Sequence, residues 1–354
     1  MSDLQTRFRT LDDLPAPDLW REAEIRAQAS QRGATRSISW VLIALIVLLT
    51  LAISSAALVG LGIVKLPAVV EPSPGPSTDA TVEPASGRIA FGRYDRFLGD
   101  FVVYLIDPSG SGETMLLPGA HEAPRWSPDG RDIAMTSAGI FVNAGQPGGS
   151  FRAFTTFDGT RYLPDPTLNL GCTVWTPDAS RLACEGWDDS DPTRNGVYTV
   201  SSSDGGDLRR LTSNPDGGHD GPGDYSTDGT QLFFGRENGP VMVVSTDGSD
   251  PRPVTSDSYG APSLSPDGRT LLVARDGRLY LIAVAGGVVT PITIFETDFN
   301  DASGGSWSSD GKWIVLSLAI RPGQWDIYRM RPDGSSLFQI TNNGADEEFG
   351  DWAP

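Results

Sequence analysis

Five times along this chain an aromatic or apolar residue precedes a short turn, and an apolar run follows it: PRWSPDGRDIAM from Pro124, VWTPDASRLACEG from Val174, DYSTDGTQLFFGR from Asp224, PSLSPDGRTLLVAR from Pro262 and GSWSSDGKWIVLSL from Gly305. In the fullest version Pro sets φ for the turn, Asp bonds its own backbone, and Gly supplies the positive φ that closes it. The runs after the turn, such as TLLVA, suit half-buried strands. A second phrase then follows: VYTVSSSDGGDLRRLT from Val197, VMVVSTDGSDPRPVT from Val241, LYLIAVAGGVVTPIT from Leu279 and IYRMRPDGSSLFQIT from Ile327. Each is again strand, turn, strand. One repeat is therefore four antiparallel strands. Where the other turns have Gly, the second has Ala179, so its geometry is expected to be less regular.

The anchors Trp126, Trp175, Tyr225, Leu264, Trp307 and Trp352 are spaced 49, 50, 39, 43 and 45 residues apart. A four-stranded unit recurring at such intervals is a propeller blade. A lone sheet of this kind exposes two apolar faces and must stack on neighbours around an axis. The chain stops at FGDWAP, directly after the sixth anchor and before any turn. GRIAFGR (87–93), VVYLID (102–107) and ETMLL (113–117) match the three strands that this last anchor lacks. The expected fold is thus all-β: a six-bladed propeller over residues 87–354, its last blade completed by strands from both ends, which removes the open sheet edge.

These repeats resemble the WD40-like Pro-Asp-Gly repeats of the TolB-type six-bladed propellers. The resemblance covers residues 87–354 and implies the fold. TolB-type proteins carry an α/β domain before the propeller and are free in the periplasm, whereas this chain is expected to carry a membrane anchor and stalk there. A TolB role in an envelope complex therefore does not transfer. The family includes propellers fused to serine peptidases, but this sequence has no Gly-x-Ser-x-Gly elbow.

Trp40–Val64 contains no charged residue. At about 1.5 Å per residue it is long enough to span a hydrocarbon core of about 30 Å. The expected organisation is a cytoplasmic tail at 1–37, a transmembrane signal-anchor helix at 38–65, a Pro/Ser/Thr-rich stalk at 66–86 and the propeller at 87–354. Arg26, Arg32 and Arg36 precede the apolar run and only Lys65 follows it. That bias keeps the N-terminus cytoplasmic and the propeller outside, periplasmic or extracellular. Residues 17–31 have the pattern of a short charged helix, either a solvated tail or a docking point for a cytoplasmic partner.

The formal charge is −18. The first 37 residues balance six arginines against six acids, so the acidic excess lies beyond them. An acidic surface repels phosphate backbones, which argues against nucleic acid as a partner. Gly (41) and Pro (27) are abundant, consistent with many turns.

The turn aspartates Asp129, Asp178, Asp228, Asp267 and Asp310 are read as turn formers, not catalysts. The candidate ligand-binding set lies where one blade's outermost strand crosses to the next blade's innermost strand, at one mouth of the channel: His121, Glu122, His219, Asp220, Tyr259, Asp301 and Glu347. Loops on the same face add Arg236, Arg275 and Arg321, either attracting an anionic group or pairing with nearby acids. Two histidines two blades apart do not make a metal site, and no cofactor motif is found. Cys172 and Cys184 flank one turn nearly symmetrically and are candidates for a disulfide in an oxidising compartment, with buried free thiols as the alternative. Three functions stay open: a binding module for an extracytoplasmic protein or small ligand, an enzyme acting on sugar or peptide in the channel, and a single-pass sensor.

Overall fold

The structure is a computed structural model. It describes residue 85 and residues 87–354, except 118, 120–121, 137–138, 144, 148, 150, 156–164, 166, 295–300 and 322. The expected tail, membrane helix and stalk lie outside the described residues, apart from Ala85. Among the described residues no helix is long and apolar enough to cross a membrane.

The described chain forms 24 strands in six four-stranded antiparallel sheets. Blade I contains β1 (Ile89–Asp95), β2 (Asp100–Ile106) and β3 (Thr114–Met115). Blade II contains β4 (Glu122–Trp126), β5 (Ile133–Thr136), β6 (Gly139–Asn143) and β7 (Phe151–Thr155). Blade III contains β8 (Asn169–Trp175), β9 (Arg181–Trp187), β10 (Gly196–Ser201) and β11 (Arg209–Arg210). Blade IV contains β12 (Asp220–Tyr225), β13 (Gln231–Arg236), β14 (Pro240–Ser245) and β15 (Arg252–Ser258). Blade V contains β16 (Ser263–Leu264), β17 (Thr270–Arg275), β18 (Arg278–Ala283) and β19 (Val289–Pro291). Blade VI contains β20 (Asp301–Trp307), β21 (Ile314–Arg321), β22 (Gln324–Met330) and β23 (Phe338–Gln339). The last strand, β24 (Glu347–Trp352), crosses to blade I and pairs antiparallel with β1.

Ring closure is visible in the neighbours of the first strands. β4 touches β8, β8 touches β12, β12 touches β16, β16 touches β20, β20 touches β24 and β24 touches β4. The six innermost strands therefore form a cycle, closed by the two ends of the domain as the sequence predicts. Trp352 packs with Ile89 and Phe91 of blade I and with Trp313, Val315 and Ile327 of blade VI. The second strands of blades IV and V are buried along their apolar runs because both faces of a sheet meet a neighbour, which explains unbroken stretches such as LFF and LLV. Several outermost strands are only two residues long and leave little free edge.

The turn phrase has one hydrogen-bond pattern throughout. Asp129 accepts from the Ser127 hydroxyl at 2.7 Å and the Arg131 amide at 3.1 Å. Asp178, Asp228, Asp267 and Asp310 accept from equivalent donors. These bonds hold all five carboxyls below the ordinary Asp range, although burial works against the shift and is the largest influence at Asp310. The expected irregularity at Ala179 is absent. Ala179 takes φ +57° where Gly130 has +68°, and its amide bonds Thr176 O at 2.8 Å as Gly130 bonds Ser127 O. The turn keeps its shape and alanine bears a left-handed backbone.

The second phrases end in a threonine with a shared task. The hydroxyls of Thr212, Thr255 and Thr341 accept the amides of Val197, Val241 and Ile327, each in its blade's third strand.

Candidate functional site

The disc has two unlike faces. The Pro-Asp-Gly turns and the second set of turns occupy one. The loops between second and third strands and the blade-to-blade crossings occupy the other, the mouth face. At five of the six anchors the residue before the anchor stitches neighbouring blades around the axis. Asp351 accepts the Trp126 amide, Asp224 the Leu264 amide and the Ser306 hydroxyl the Trp352 amide, all at 2.7 Å. In the same direction, from a blade to the one before it, the indoles of Trp175 and Trp307 donate to Arg125 O and Ser263 O at 3.0 and 3.2 Å.

Arg125 also reaches from blade II to blade IV, donating to Asp224 at 2.7 Å, and lies 3.6 Å from Asp351. Burial pushes the Asp351 carboxyl above its ordinary range, against the attraction of Arg125. Arg125 sits between two cavities. One, of about 440 Å³, opens beside the turns and includes Pro128, Pro266 and Pro354. The other, of about 310 Å³, lies toward the mouth face and is lined by all six innermost strands, with Pro222, Ala261, Gly304 and Phe349 in its wall. Sequence reasoning missed Arg125, Asp224 and Asp351. The available signal was a charged residue directly before three of the six anchors.

A third cavity, of about 620 Å³, opens on the mouth face between blades III, IV and V. Four sequence-predicted residues meet there: His219, Tyr259, Arg236 and Arg275. His219 Nδ1 lies 2.5 Å from Glu185, and its ring lies 6.1 Å from that of Trp187. Tyr259 is buried beneath Arg275, whose guanidinium sits 4.7 Å from the ring centroid. Burial raises the Tyr259 phenol above its ordinary value.

Two of the three predicted arginines, Arg236 and Arg275, are engaged by acids. Arg236 holds Asp220 through two bonds of 2.9 Å, and Arg275 meets Asp257 at 3.2 Å. Arg93 binds Glu113 and Glu347, and Arg194 binds Asp165 and Asp188. Of the two readings open for this cluster, the structure displays ion pairing at Arg236 and Arg275. Asp220 and Glu347 are corrected from rim residues to buried ones. Neither side chain is exposed; Asp220 also accepts the Thr212 hydroxyl, and Glu347 the Asn343 amide, both at 2.7 Å. Each carboxylate is bonded by an arginine on the neighbouring strand, inside the blade and not in the channel, with Glu347 taking both its bonds on Oε1.

The remaining candidates are scattered. Glu122 opens β4 on the mouth face, while His121 lies outside the described residues. Asp301 is exposed at the start of β20, against Gly277. Arg321 is exposed at the end of β21 and makes no ion pair with a described residue. Cys172 and Cys184 are joined by a disulfide. They pair directly across β8 and β9 because a bulge between Cys172 and Val174 absorbs the one-residue stagger of the sequence.

No family model matches the chain. The uncharacterized protein Atu1656 of Agrobacterium fabrum is 28% identical over 243 residues, which are 67% of this chain and 62% of that protein. The chain thus matches less than two thirds of that relative's length. TolB from Acinetobacter baumannii superposes with a TM-score of 0.61 at 19% identity, over 76% of this chain and 67% of that one. The chain has the TolB-like six-bladed propeller fold. A protein assigned as TolB from Agrobacterium tumefaciens gives 0.51 at 18% identity, over 76% of this chain and all of that one. A chain of the nidogen/laminin complex gives 0.57 at 10% identity, over 76% and 99%. At these identities the likeness to the TolB-like propeller is one of fold.

Proposed function

We propose that the chain is a membrane-tethered extracytoplasmic binding module whose mouth face meets the partner. The observation that carries this reading is the difference between the faces. On the turn face the same bonds recur blade after blade and hold local geometry. On the mouth face a central cavity of about 310 Å³ and a cleft of about 620 Å³ are lined by side chains that differ between blades. Loops free to differ on a rigid frame are where binding residues gather. The uncharged segment Trp40–Val64 supplies the tether, with residues 1–37 on the cytoplasmic side.

A second reading, catalysis in the cleft, draws on one observation: His219 and Glu185 stand at 2.5 Å in an open site beside Trp187. Such a pair orients an imidazole for proton transfer.

The test is co-purification of partners with the full chain from solubilised membranes. Charge reversal at exposed mouth positions (Glu237→Lys with Asp276→Lys) is expected to lose the partner. Reversal beside the turns (Arg269→Glu with Lys312→Glu) is expected to keep it. The opposite pattern overturns the assignment of the face.

A further inference from the structure

The hairpin between β1 and β2 is built to hold apolar side chains in water. Asp95 Oδ1 accepts the amides of Phe97 and Leu98 at 2.8 and 3.2 Å, and the Gly99 amide, at φ +69°, bonds Asp95 O at 2.8 Å. A turn tied this firmly has no need of Phe and Leu at its tip. Yet Phe97 is 101% exposed and Leu98 54%. Placing them there forgoes the burial such side chains normally gain.

The tip continues inward as a row of rings. Tyr94 meets Phe101 edge-on at 5.6 Å, and Phe101 meets Phe349 edge-on at 5.4 Å. Phe349 lines the central cavity. It sits where the pairing of β24 with β1 slips register, at φ +61°, a backbone state that a bulky residue rarely adopts. The irregularity aims an aromatic ring at the cavity lip instead of leaving it in a regular ladder. Ile320 is exposed on the same face of blade VI. Five of the nine exposed large apolar side chains among the described residues thus lie on the mouth face of two adjacent blades.

The surrounding charge is acidic. Asp95, Asp100, Asp346 and Glu348 border this ridge, against Arg96 and Arg321. Arg93, next to Tyr94 on β1, is held between Glu113 and Glu347, and Arg125, which lines the central cavity with Phe349, is paired with Asp224 and Asp351. An apolar ridge inside an acidic border selects a partner that is apolar and basic together.

We infer that the ridge from Phe97 to Phe349 is a docking surface for a basic, apolar polypeptide segment of a partner protein. This rests on the mouth-face reading above and deepens it. Phe97 and Leu98 supply the anchors, Phe349 carries the contact to the central cavity, and the acids set the sign of charge.

The probe is a short fluorescein-labelled peptide of lysines and leucines, with a glutamate/leucine counterpart, titrated against the full chain in detergent. The expected result is binding of the lysine peptide alone, weakened by added salt. Phe97→Ser with Leu98→Ser should weaken it by at least about tenfold with an unchanged melting temperature, since neither side chain is packed. Phe349→Ala gives a second arm. Equal binding of both peptides, no binding of either, or no effect of the double variant overturns the inference. So does concentration-dependent self-association lost in the double variant, which makes a second copy the occupant, or capture of phosphatidylcholine vesicles through Phe97. Partners that co-purify through Glu237 and Asp276 while ignoring Phe97 and Leu98 leave the mouth-face reading standing without this ridge.

Discussion

Glu347, at the start of the last strand, accepts the Nε hydrogen of Arg93, near the end of the first blade's β1, at 2.7 Å across 254 positions. The pair fastens the ring where the two ends of the domain meet. Its carboxylate is fully buried, with Asn343 as a further donor. Glu347→Ala is expected to lower unfolding stability by about 3 kcal/mol or more, because a buried ion pair is broken from one side. The urea midpoint measures this. A change below about 1 kcal/mol means that the pair is not a fastening.

Asp326 predicts a second signature. It is nearly buried, its Oδ1 lacks a partner, and Gln339 donates to Oδ2 at 3.1 Å. Burial first, then Glu347 and Asp346, push its carboxyl up to about 6, against Gln339 and Arg321. A carboxyl raised on folding binds its proton more tightly in the folded state. Its contribution is therefore full below the unfolded value, near 3.8, and is lost as pH rises through about 6. Asp326→Asn should remove that loss, about 2–3 kcal/mol, and exceed the wild type in melting temperature at pH 8 but not at pH 4. The turn aspartates act with the opposite sign, since their depressed values cost stability only as pH falls below the ordinary Asp range. Equal gains at both pH values would show that Asp326 does not titrate in this window.

The repeated phrase made the propeller legible because turn chemistry is local: Ser or Thr, Asp and Gly at fixed spacing specify one hydrogen-bond pattern. Closure was legible because β24 ends where β1 begins. The site was less so. Asp220 and Glu347 sit at crossing positions that resemble rim positions in sequence, but their fate depends on Arg236 and Arg93 on the strands beside them. Nothing local to the sequence marks Phe349; only the slipped register turns it to the cavity. The arginine clustering was readable, whereas its pairing with acids required the register.

Ala179 offers a local test. Its left-handed backbone costs about 1–2 kcal/mol, partly offset by the extra chain entropy that glycine loses. Ala179→Gly should therefore raise the melting temperature by the equivalent of about 0.5–1 kcal/mol, and Gly229→Ala, at φ +70°, should lower it by a similar amount. No change in either would show that the turn relaxes around the side chain.

The disulfide ties structure to compartment. Cys172 and Cys184 are both fully buried. No thiol should react in membranes prepared with an alkylating agent until the protein is denatured and reduced. Replacing both by alanine should cost about 3 kcal/mol by loop closure. Protease added outside spheroplasts should cut within residues 66–86 and release the propeller intact. Free thiols together with complete protection from protease would place the domain on the cytoplasmic side.

The most direct measurement of the binding face is photo-cross-linking in living cells. One cross-linking residue replaces Ser258, exposed at the mouth end of β15, and in a separate strain Arg269, exposed beside a turn on the opposite face. A discrete cross-linked protein at 258 and none at 269 is the predicted result. The same adduct at 269 and none at 258 would contradict the account, because the partner would then sit on the face whose repeated bonds serve local geometry alone.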